Sequence, residues 1–208
     1  FEFTIQDGKL YMLQTRNGKR TGPAAVRVAV EMVEEKLISK KEAVLRVAPS
    51  QLDQLLHPVF DQASLKTLVK LGTGIAASPG AAVGRIAFSA EDAVEMAKKS
   101  PVILLRKETT PNDIAGMDAA KGILTAVGGK SSHAAVVARG MGRPCIVGAG
   151  SINIVEKTQT ATVSVNGKTV TLKASDWISI DGTTAHVYQG QAKTTEADVK
   201  AGYLKTFM

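Results

Sequence analysis

Alternating apolar and polar residues open the chain. Phe1–Ile5 alternates, Gln6–Lys9 carries the turn-forming pair Asp7-Gly8, and Leu10–Gln14 returns. The pattern predicts two short strands joined as a β-hairpin. A hairpin by itself is only marginally stable in water. We therefore expect it to belong to a domain whose remainder lies outside this sequence.

Helical spacing replaces this alternation between residues 21 and 71. Thr21-Gly22-Pro23 is a start signal, and apolar residues recur at helical spacing through Ala25–Val33. Ser39 is the predicted N-cap of a helix over residues 40–47, with Glu42 completing a capping box. Pro49 ends that helix, and a further helix begins at residue 51. We interpret the region as a helical linker.

After Gly72-Thr73-Gly74, short apolar runs alternate with glycine-rich turns, which predicts an α/β domain. Asn166-Gly167 is a strong hairpin signal. Helices are predicted over residues 91–99, with Ser89 as cap, and from Thr110-Pro111 onward. Residues 194–208 are polar and helix-like. The predicted strands cover residues 82–88, 102–105, 122–127, 146–148, 162–165, 168–172, 177–180 and 185–188.

The strand over residues 122–127 leads directly into Gly128-Gly129-Lys130-Ser131-Ser132-His133, where a helix with an apolar face begins. Glycines let the backbone approach a bulky anion, and a helix N-terminus favours negative charge. Ser131 and Ser132 add donors or a cap. An imidazole can accept and release a phosphoryl group near neutral pH. Two interpretations of His133 stay open on this local pattern: a phosphate carrier, or a histidine that caps a buried helix.

Composition narrows the classes of function. The chain has 208 residues and a net charge of +7, but its basic residues are scattered, which argues against nucleic acid or a membrane as partner. Cys145 is the only cysteine, so an internal disulfide is excluded, and its apolar surroundings indicate a buried thiol. Ser132 and His133 are direct neighbours without a nucleophile elbow, which disfavours a serine hydrolase. Because the sequence starts at Phe1, we expect it to be a piece of a longer protein.

The segment from Gly128 to Cys145, GGKSSHAAVVARGMGRPC, resembles the phosphohistidine signature of the pyruvate, phosphate dikinase family. The resemblance extends over nearly the whole chain, with Lys130-Ser131 standing where the family usually has Met-Thr. Further matching stretches are Leu52–Pro58, Gly74–Gly80, Glu108–Ile114 and Asp176–Gly182.

The resemblance implies a fold and a domain organisation. The expected fold is α/β: a swivelling β/β/α phosphohistidine domain, preceded by a β-hairpin remnant and a helical linker. Residues 1–20 would be the C-terminal edge of an ATP-grasp nucleotide-binding domain and 21–72 the helical linker. Residues 73–190 would be the phosphohistidine domain, and 191–208 the start of a linker to a pyruvate/phosphoenolpyruvate barrel. Residues 71–74 and 190–195 are the predicted hinges.

It also implies roles for particular residues. His133 would be the catalytic histidine, with phosphate supported by Gly128, Gly129, Ser131 and Ser132. Glu2, Gln14 and Arg16 match positions that contact ATP and its metal, although without the family they would be interpreted as a solvated hairpin face. Ser131 matches a regulatory threonine of plant dikinases. We expect no metal site within the phosphohistidine domain.

The implied reaction converts ATP, phosphate and pyruvate reversibly to AMP, pyrophosphate and phosphoenolpyruvate through His133. The expected partners are these small molecules, bound by neighbouring domains, in an intracellular homodimer located in the cytoplasm or an organelle. The expected cofactors are Mg²⁺, at sites mainly in domains outside this chain, and a monovalent cation, NH₄⁺ or K⁺. Two alternatives remain: a phosphoenolpyruvate synthase-type domain and a non-enzymatic phosphocarrier or regulatory module.

Overall fold

A computed structural model describes residues 2–15, 20–195 and 202–208 of the protein. The chain divides into two compact units, one formed by Phe1–Asp53 with Val199–Met208 and the other by Gln54–Asp198. The strands are β1 (Glu2–Gln6), β2 (Lys9–Gln14), β3 (Val59–Phe60), β4 (Val69–Thr73), β5 (Ile75–Ser78), β6 (Ala81–Ala87), β7 (Val102–Arg106), β8 (Gly122–Thr125), β9 (Cys145–Val147), β10 (Ile152–Val155), β11 (Thr160–Val165), β12 (Lys168–Lys173), β13 (Trp177–Asp181), β14 (His186–Gln189) and β15 (Thr194–Thr195). The helices are α1 (Gly22–Glu34), α2 (Lys40–Arg46), α3 (Pro49–Leu56), α4 (Gln62–Leu65), α5 (Ala90–Ala97), α6 (Ile114–Ala119), α7 (His133–Gly140) and α8 (Gly202–Phe207), with 3₁₀ turns at Pro111–Asp113 and Glu156–Thr158.

The first unit begins with the predicted hairpin, which is confirmed. β1 and β2 pair in antiparallel fashion, and Asp7 and Gly8 both have positive φ, at 51° and 72°. This geometry suits a two-residue turn whose twist matches that of the flanking strands. The described residues of the hairpin are exposed on both faces, including Ile5 and Leu13.

Helices α1, α2 and α8 complete the described part of the first unit. Thr21 and Ser39 lie at the predicted helix starts, but Thr21 makes no side-chain cap hydrogen bond. Ser39 Oγ accepts from the N–H of Glu42 at 3.2 Å, whereas the Glu42 carboxylate accepts from Arg46, so only half of the predicted capping box is present. The buried face of α1 contains Ala25, Val26, Ala29 and Val30, whereas Val33 is only partly buried. Because Val26 and Val30 are one helical turn apart, they form a single apolar stripe.

An eight-stranded sheet forms the centre of the second unit. Its strand order is β4-β14-β13-β6-β7-β8-β9-β5, and the four strands from β6 to β9 are parallel, whereas the flanking strands pair antiparallel. Crossover helices α5, α6 and α7 join successive parallel strands. All carboxyl ends of the parallel strands therefore meet at one edge of the sheet, where ligands of open α/β sheets usually bind.

The sheet is covered on both faces, which gives the predicted β/β/α layering. Val102 and Leu104 of β7 point to one face and join a core with Ala93, Met117 and Ala135 of the three crossover helices. Ile103 and Leu105 point to the other face and join a core with residues of the three-stranded sheet β10-β11-β12. A strand that is buried on both faces has a continuous run of apolar residues in its sequence. The α/β fold class is confirmed.

Several element predictions need correction. The region over residues 21–71, interpreted as mostly helical, also contains β3 and β4, and the strands β5 and β10 were not predicted. The helix-like region over residues 194–208 begins with the strand β15. Because β4 is held by pairing with β14, a partner more than 100 residues further along the chain, local spacing did not reveal it. The domain boundaries at residues 20, 72 and 190 stay predictions.

The two segments predicted as hinges are both hydrogen-bonded within the second unit. Residues 71–73 lie in β4, and the N–H of Gly74 donates to Ala185 O at 3.0 Å. Gly190 N–H donates to Trp177 O, and Thr194 pairs with Phe60. The role of both segments as hinges stays a prediction. None of the described helices is long and apolar enough to cross a membrane.

Candidate phosphoryl-accepting site

The candidate site lies at the carboxyl ends of β7 and β8, in the middle of the parallel part of the sheet. Arg106 and Thr125, the last residues of these strands, are register partners. The pairing continues beyond them, since the N–H of Val127 donates to Lys107 O at 2.9 Å. Thr125 Oγ1 also donates to Val127 O at 2.7 Å. The loops that follow β7 and β8 therefore leave the sheet side by side.

The two glycines after β8 have different structural roles. Gly128 has a φ of +112°, and a Cβ there would lie only 3.0 Å from Ser132 Oγ and 3.1 Å from Ser132 Cβ. This conformation and this space both require glycine. A Cβ on Gly129 would meet no atom within 4 Å. The double glycine thus combines one residue that the turn requires with one that leaves open space beside the loop.

Ser132 is the N-cap of α7, and His133 is its first residue. Ser132 Oγ accepts from the N–H of Ala135 at 3.4 Å, and Ser132 O accepts from the N–H of Val136 at 3.0 Å. Within the described residues, the N–H groups of His133 and Ala134 have no acceptor. Free N–H groups and the helix dipole favour an anion at this point. Sequence reasoning placed this helix start correctly.

Thr109, from the loop after β7, fixes one nitrogen of the imidazole. Its Oγ1 lies 3.1 Å from His133 Nδ1, and its side chain is buried. No group among the described residues hydrogen-bonds to Nε2 of the half-buried His133. The nitrogen that can act as nucleophile is therefore Nε2. When Nδ1–H donates to Thr109, Nε2 carries the lone pair.

Thr109 was not identified as a site residue from the sequence. It lies 24 residues before His133, and only the parallel pairing of β7 with β8 brings the two loops together. A usable signal was present, because Thr109 follows a buried apolar strand that precedes the strand leading to His133. Polar residues after neighbouring parallel strands meet at one edge of the sheet.

Arg139 holds the glycine loop against β5. Its Nε and Nη2 lie 3.3 Å and 3.2 Å from Ala77 O, and Nη2 lies 3.3 Å from Lys130 O. The described contacts of Arg139 are with main-chain carbonyl groups, which suit the planar guanidinium fork.

Lys130 and Ser131 are exposed next to the histidine. The hydroxyl of Ser131 is therefore open to solvent, as a modification site requires, although its predicted regulatory role stays a prediction. Gly128, Gly129 and Ser132, which are predicted to support phosphate, lie in the loop directly before His133.

The predicted nucleotide-contacting residues lie in the first unit. Glu2 and Gln14 are register partners at the open end of the hairpin, whereas Arg16 lies outside the described residues. Among the described residues, no group of three or more His, Cys, Asp or Glu side chains could hold a metal ion. Glu2 and Gln14 alone do not make a magnesium site, since Mg²⁺ requires octahedral oxygen ligation.

Cys145 and His186 are not part of this site. Burial raises the pKa of the Cys145 thiol to about 12, which makes it inert. His186 lies on β14, with its Nδ1 3.3 Å from the hydroxyl of Tyr188. Burial, and secondly the charge of Lys70, lower the pKa of His186.

Residues 98–185 match the family described as "PEP-utilising enzyme, mobile domain". This stretch contains the whole candidate site, from Thr109 to Arg139. The part of the chain that carries the site is therefore similar to the mobile domains of PEP-utilising enzymes.

Over nearly its full length the chain is similar to pyruvate, phosphate dikinases. It is 50% identical to that of Clostridium symbiosum over 203 residues, which is 97% of this chain and 23% of the relative. It is 50% identical to that of Rhizobium meliloti (strain 1021), covering 98% of this chain and 22% of the relative. The chloroplastic protein of Flaveria trinervia is also 50% identical, over 91% of this chain and 20% of the relative. The resemblance seen in the sequence is confirmed, and the chain spans under a quarter of the length of these relatives.

Proposed function

We propose that this chain is the central phosphoryl-carrier part of a pyruvate, phosphate dikinase, with His133 as the group that is phosphorylated. The observation that supports this most is the environment of the His133 imidazole. Its Nδ1 is held by Thr109, while its Nε2 has no hydrogen-bond partner within the described residues. The ring lies beside a glycine loop and a helix N-terminus. The similarity to dikinases along almost the whole chain supports the same conclusion.

The similarity to pyruvate, phosphate dikinases implies the reaction, and the geometry of His133 supplies its nucleophile. The Nε2 lone pair attacks a phosphorus atom, an N–P bond forms, and the P–O bond to the leaving group breaks. With phosphoenolpyruvate as donor, the leaving group is the enolate of pyruvate, which then takes up a proton. With ATP, attack at the β-phosphate releases AMP and gives a pyrophosphorylated histidine. Its terminal phosphoryl group is then transferred to inorganic phosphate, which forms pyrophosphate and leaves a phosphohistidine.

The surrounding residues act by positioning and by stabilising negative charge. Thr109 holds Nδ1, so that one ring nitrogen faces the donor. The N–H groups at the start of α7 stabilise phosphoryl oxygens, and Gly129 leaves room for them. Ser131 and Ser132 supply hydroxyl groups at the loop, and Lys130 supplies a positive charge. Preorganised donors of this kind need no rearrangement during the reaction.

The rest of the proposal concerns groups outside the chain. Glu2, Gln14 and Arg16 would contribute to an incomplete nucleotide site, and the expected Mg²⁺ and monovalent cation would be held mainly by neighbouring domains. Magnesium bound there would neutralise phosphate charge. Because one histidine serves both an ATP site and a pyruvate site, the domain must move between them.

The test is phosphorylation of the full-length polypeptide with labelled phosphoenolpyruvate, beside its His133→Ala variant. Acid-labile, base-stable label that maps to His133 and disappears in the variant is the expected result. A folded protein that binds phosphoenolpyruvate but takes up no label would overturn the proposal. Turnover that depends on pyrophosphate would separate a dikinase from a phosphoenolpyruvate synthase and from a carrier without catalytic turnover.

A further inference from the structure

A nearly buried carboxylate controls the turn that carries Thr109. Asp113 Oδ2 accepts from the main-chain N–H of Thr110 at 2.8 Å and from Thr110 Oγ1 at 3.1 Å. In return, the N–H of Asp113 donates to Thr110 O at 2.9 Å. These bonds fix the backbone immediately after Thr109, and only 4% of Asp113 is exposed. The position of the Thr109 hydroxyl therefore depends on where this carboxylate lies.

Arg106 holds the other oxygen of that carboxylate. Its Nε lies 3.3 Å from Asp113 Oδ1, as an ion pair that lacks hydrogen-bond alignment. Its Nη1 donates to Phe88 O at 2.9 Å and lies 3.3 Å from Glu156 Oε1. The guanidinium thus joins the end of β7 to the chain after β6 and to the 3₁₀ turn after β10.

We infer that the Arg106–Asp113 ion pair is a positioning device for the phosphoryl-accepting imidazole. The pair holds the turn at Thr110, the turn places the Thr109 hydroxyl, and the hydroxyl fixes His133 Nδ1. Neither charged residue contacts the imidazole, so both are positioning residues. The inference rests on the proposed function of His133 and adds the residues that keep its nucleophilic nitrogen in place.

The first measurement reports the state of the imidazole directly. In the 208-residue chain labelled with ¹⁵N-histidine, Asp113→Asn should shift the imidazole nitrogen signals of His133 toward those of a free mixture of tautomers. The signals are assigned by their loss in His133→Ala. Asp118→Asn is the matched control, since Asp118 is exposed and lies 3.9 Å from Arg143. Unchanged His133 signals in Asp113→Asn would overturn the inference.

The second measurement uses phosphoramidate, a small phosphoryl donor that requires no neighbouring domain. Asp113→Asn should slow labelling of His133 by about tenfold, because the attacking nitrogen is no longer held in one orientation. Asp118→Asn should label at the rate of the unchanged chain. Urea titration and circular dichroism establish that both variants are folded under the labelling conditions.

A double-mutant cycle separates positioning from a general structural effect. If the ion pair acts through Thr109, then Thr109→Val combined with Asp113→Asn should label no more slowly than Thr109→Val alone. If the double variant instead labels more slowly than Thr109→Val by the factor seen for Asp113→Asn alone, the inference is wrong. If Asp113→Asn fails to fold, Arg106→Lys replaces it in the same double-mutant cycle. If phosphoenolpyruvate labelling fails while the tautomer shift and the cycle hold, the carrier function is wrong and the positioning inference stands.

Discussion

The hydroxyl oxygen of Thr109 lies 3.1 Å from Nδ1 of His133, although 24 residues separate them in the sequence. The contact joins the loops that leave two neighbouring parallel strands, β7 and β8. It gives the two ring nitrogens different surroundings, because Nδ1 is engaged by the threonine and Nε2 is not. The side chain that selects the reactive atom therefore comes from a different loop than the histidine.

Removing this hydroxyl should slow phosphorylation without unfolding the protein. Thr109→Val keeps the shape of the side chain but leaves Nδ1 without its partner, and we expect labelling of His133 to fall by about tenfold. The measurement is the initial rate of phosphoenolpyruvate-dependent labelling of the full-length polypeptide. Thr171→Val, on the exposed face of β12, is the matched control. Equal rates for both variants would contradict the assigned role.

The two glycines of the loop should respond differently to alanine. Gly128→Ala places a Cβ at a φ of +112° and against Ser132, so we expect a loss of about 1–3 kcal/mol in the free energy of unfolding. Gly129→Ala meets no atom within 4 Å, and its free energy of unfolding should stay within about 1 kcal/mol of the parent value. Urea unfolding followed by circular dichroism measures both. Similar losses for the two variants would show that the loop conformation differs from the one described.

Replacing the guanidinium group of Arg139 with an ammonium group should destabilise the glycine loop. An ammonium group in Arg139→Lys cannot reproduce the contacts with both Ala77 O and Lys130 O, so we expect a loss of about 1 kcal/mol in stability. Phosphoramidate labelling of His133 should also slow, because the loop is less fixed. Arg46→Lys alters an exposed pair with Glu42 and is the control. Unchanged stability and labelling in Arg139→Lys would rule out this contribution.

Cys145 should be unreactive in the folded protein. Burial raises its pKa from 9.0 to about 12, so the thiolate fraction at pH 8 is about 10⁻⁴ when folded and about 10% when unfolded. Labelling with a thiol-specific reagent at pH 8 should be slow in the native state and fast in denaturant. Rapid native labelling would contradict the described burial.

The same shift has a consequence for stability at high pH. Since the folded-state pKa is raised, the stabilisation from burying the neutral thiol is complete below about pH 9 and is lost as the pH rises toward 12. The measurement compares unfolding free energies of the parent chain and Cys145→Ala over this range. The gap between them should narrow with rising pH, and a constant gap would contradict the linkage.

Much of the site could be predicted from local sequence. Gly128-Gly129, the N-cap Ser132 and the helix after His133 are local features, because turn and cap preferences act over three or four residues. The same holds for the Asp7-Gly8 and Asn166-Gly167 turns, which have the positive φ values that their residue types favour. Thr109 and Arg106 escaped this reasoning, since their partners His133 and Glu156 lie far along the chain. Asp113 forms a local capping box with Thr110, and only its ion pair with Arg106 required the tertiary structure.

The sequence by itself determined the start of α7, the glycine conformation before it, the hairpins and the resemblance that links His133 to phosphoryl transfer. Only the tertiary structure decided which residues approach the imidazole, and that β4 and β5 are strands at the two edges of the large sheet. The physical reason is the distance along the sequence over which each interaction acts. Turns, caps and helical periodicity follow from the energies of neighbouring residues, whereas strand pairing and the contact of Thr109 with His133 depend on burying both faces of one sheet.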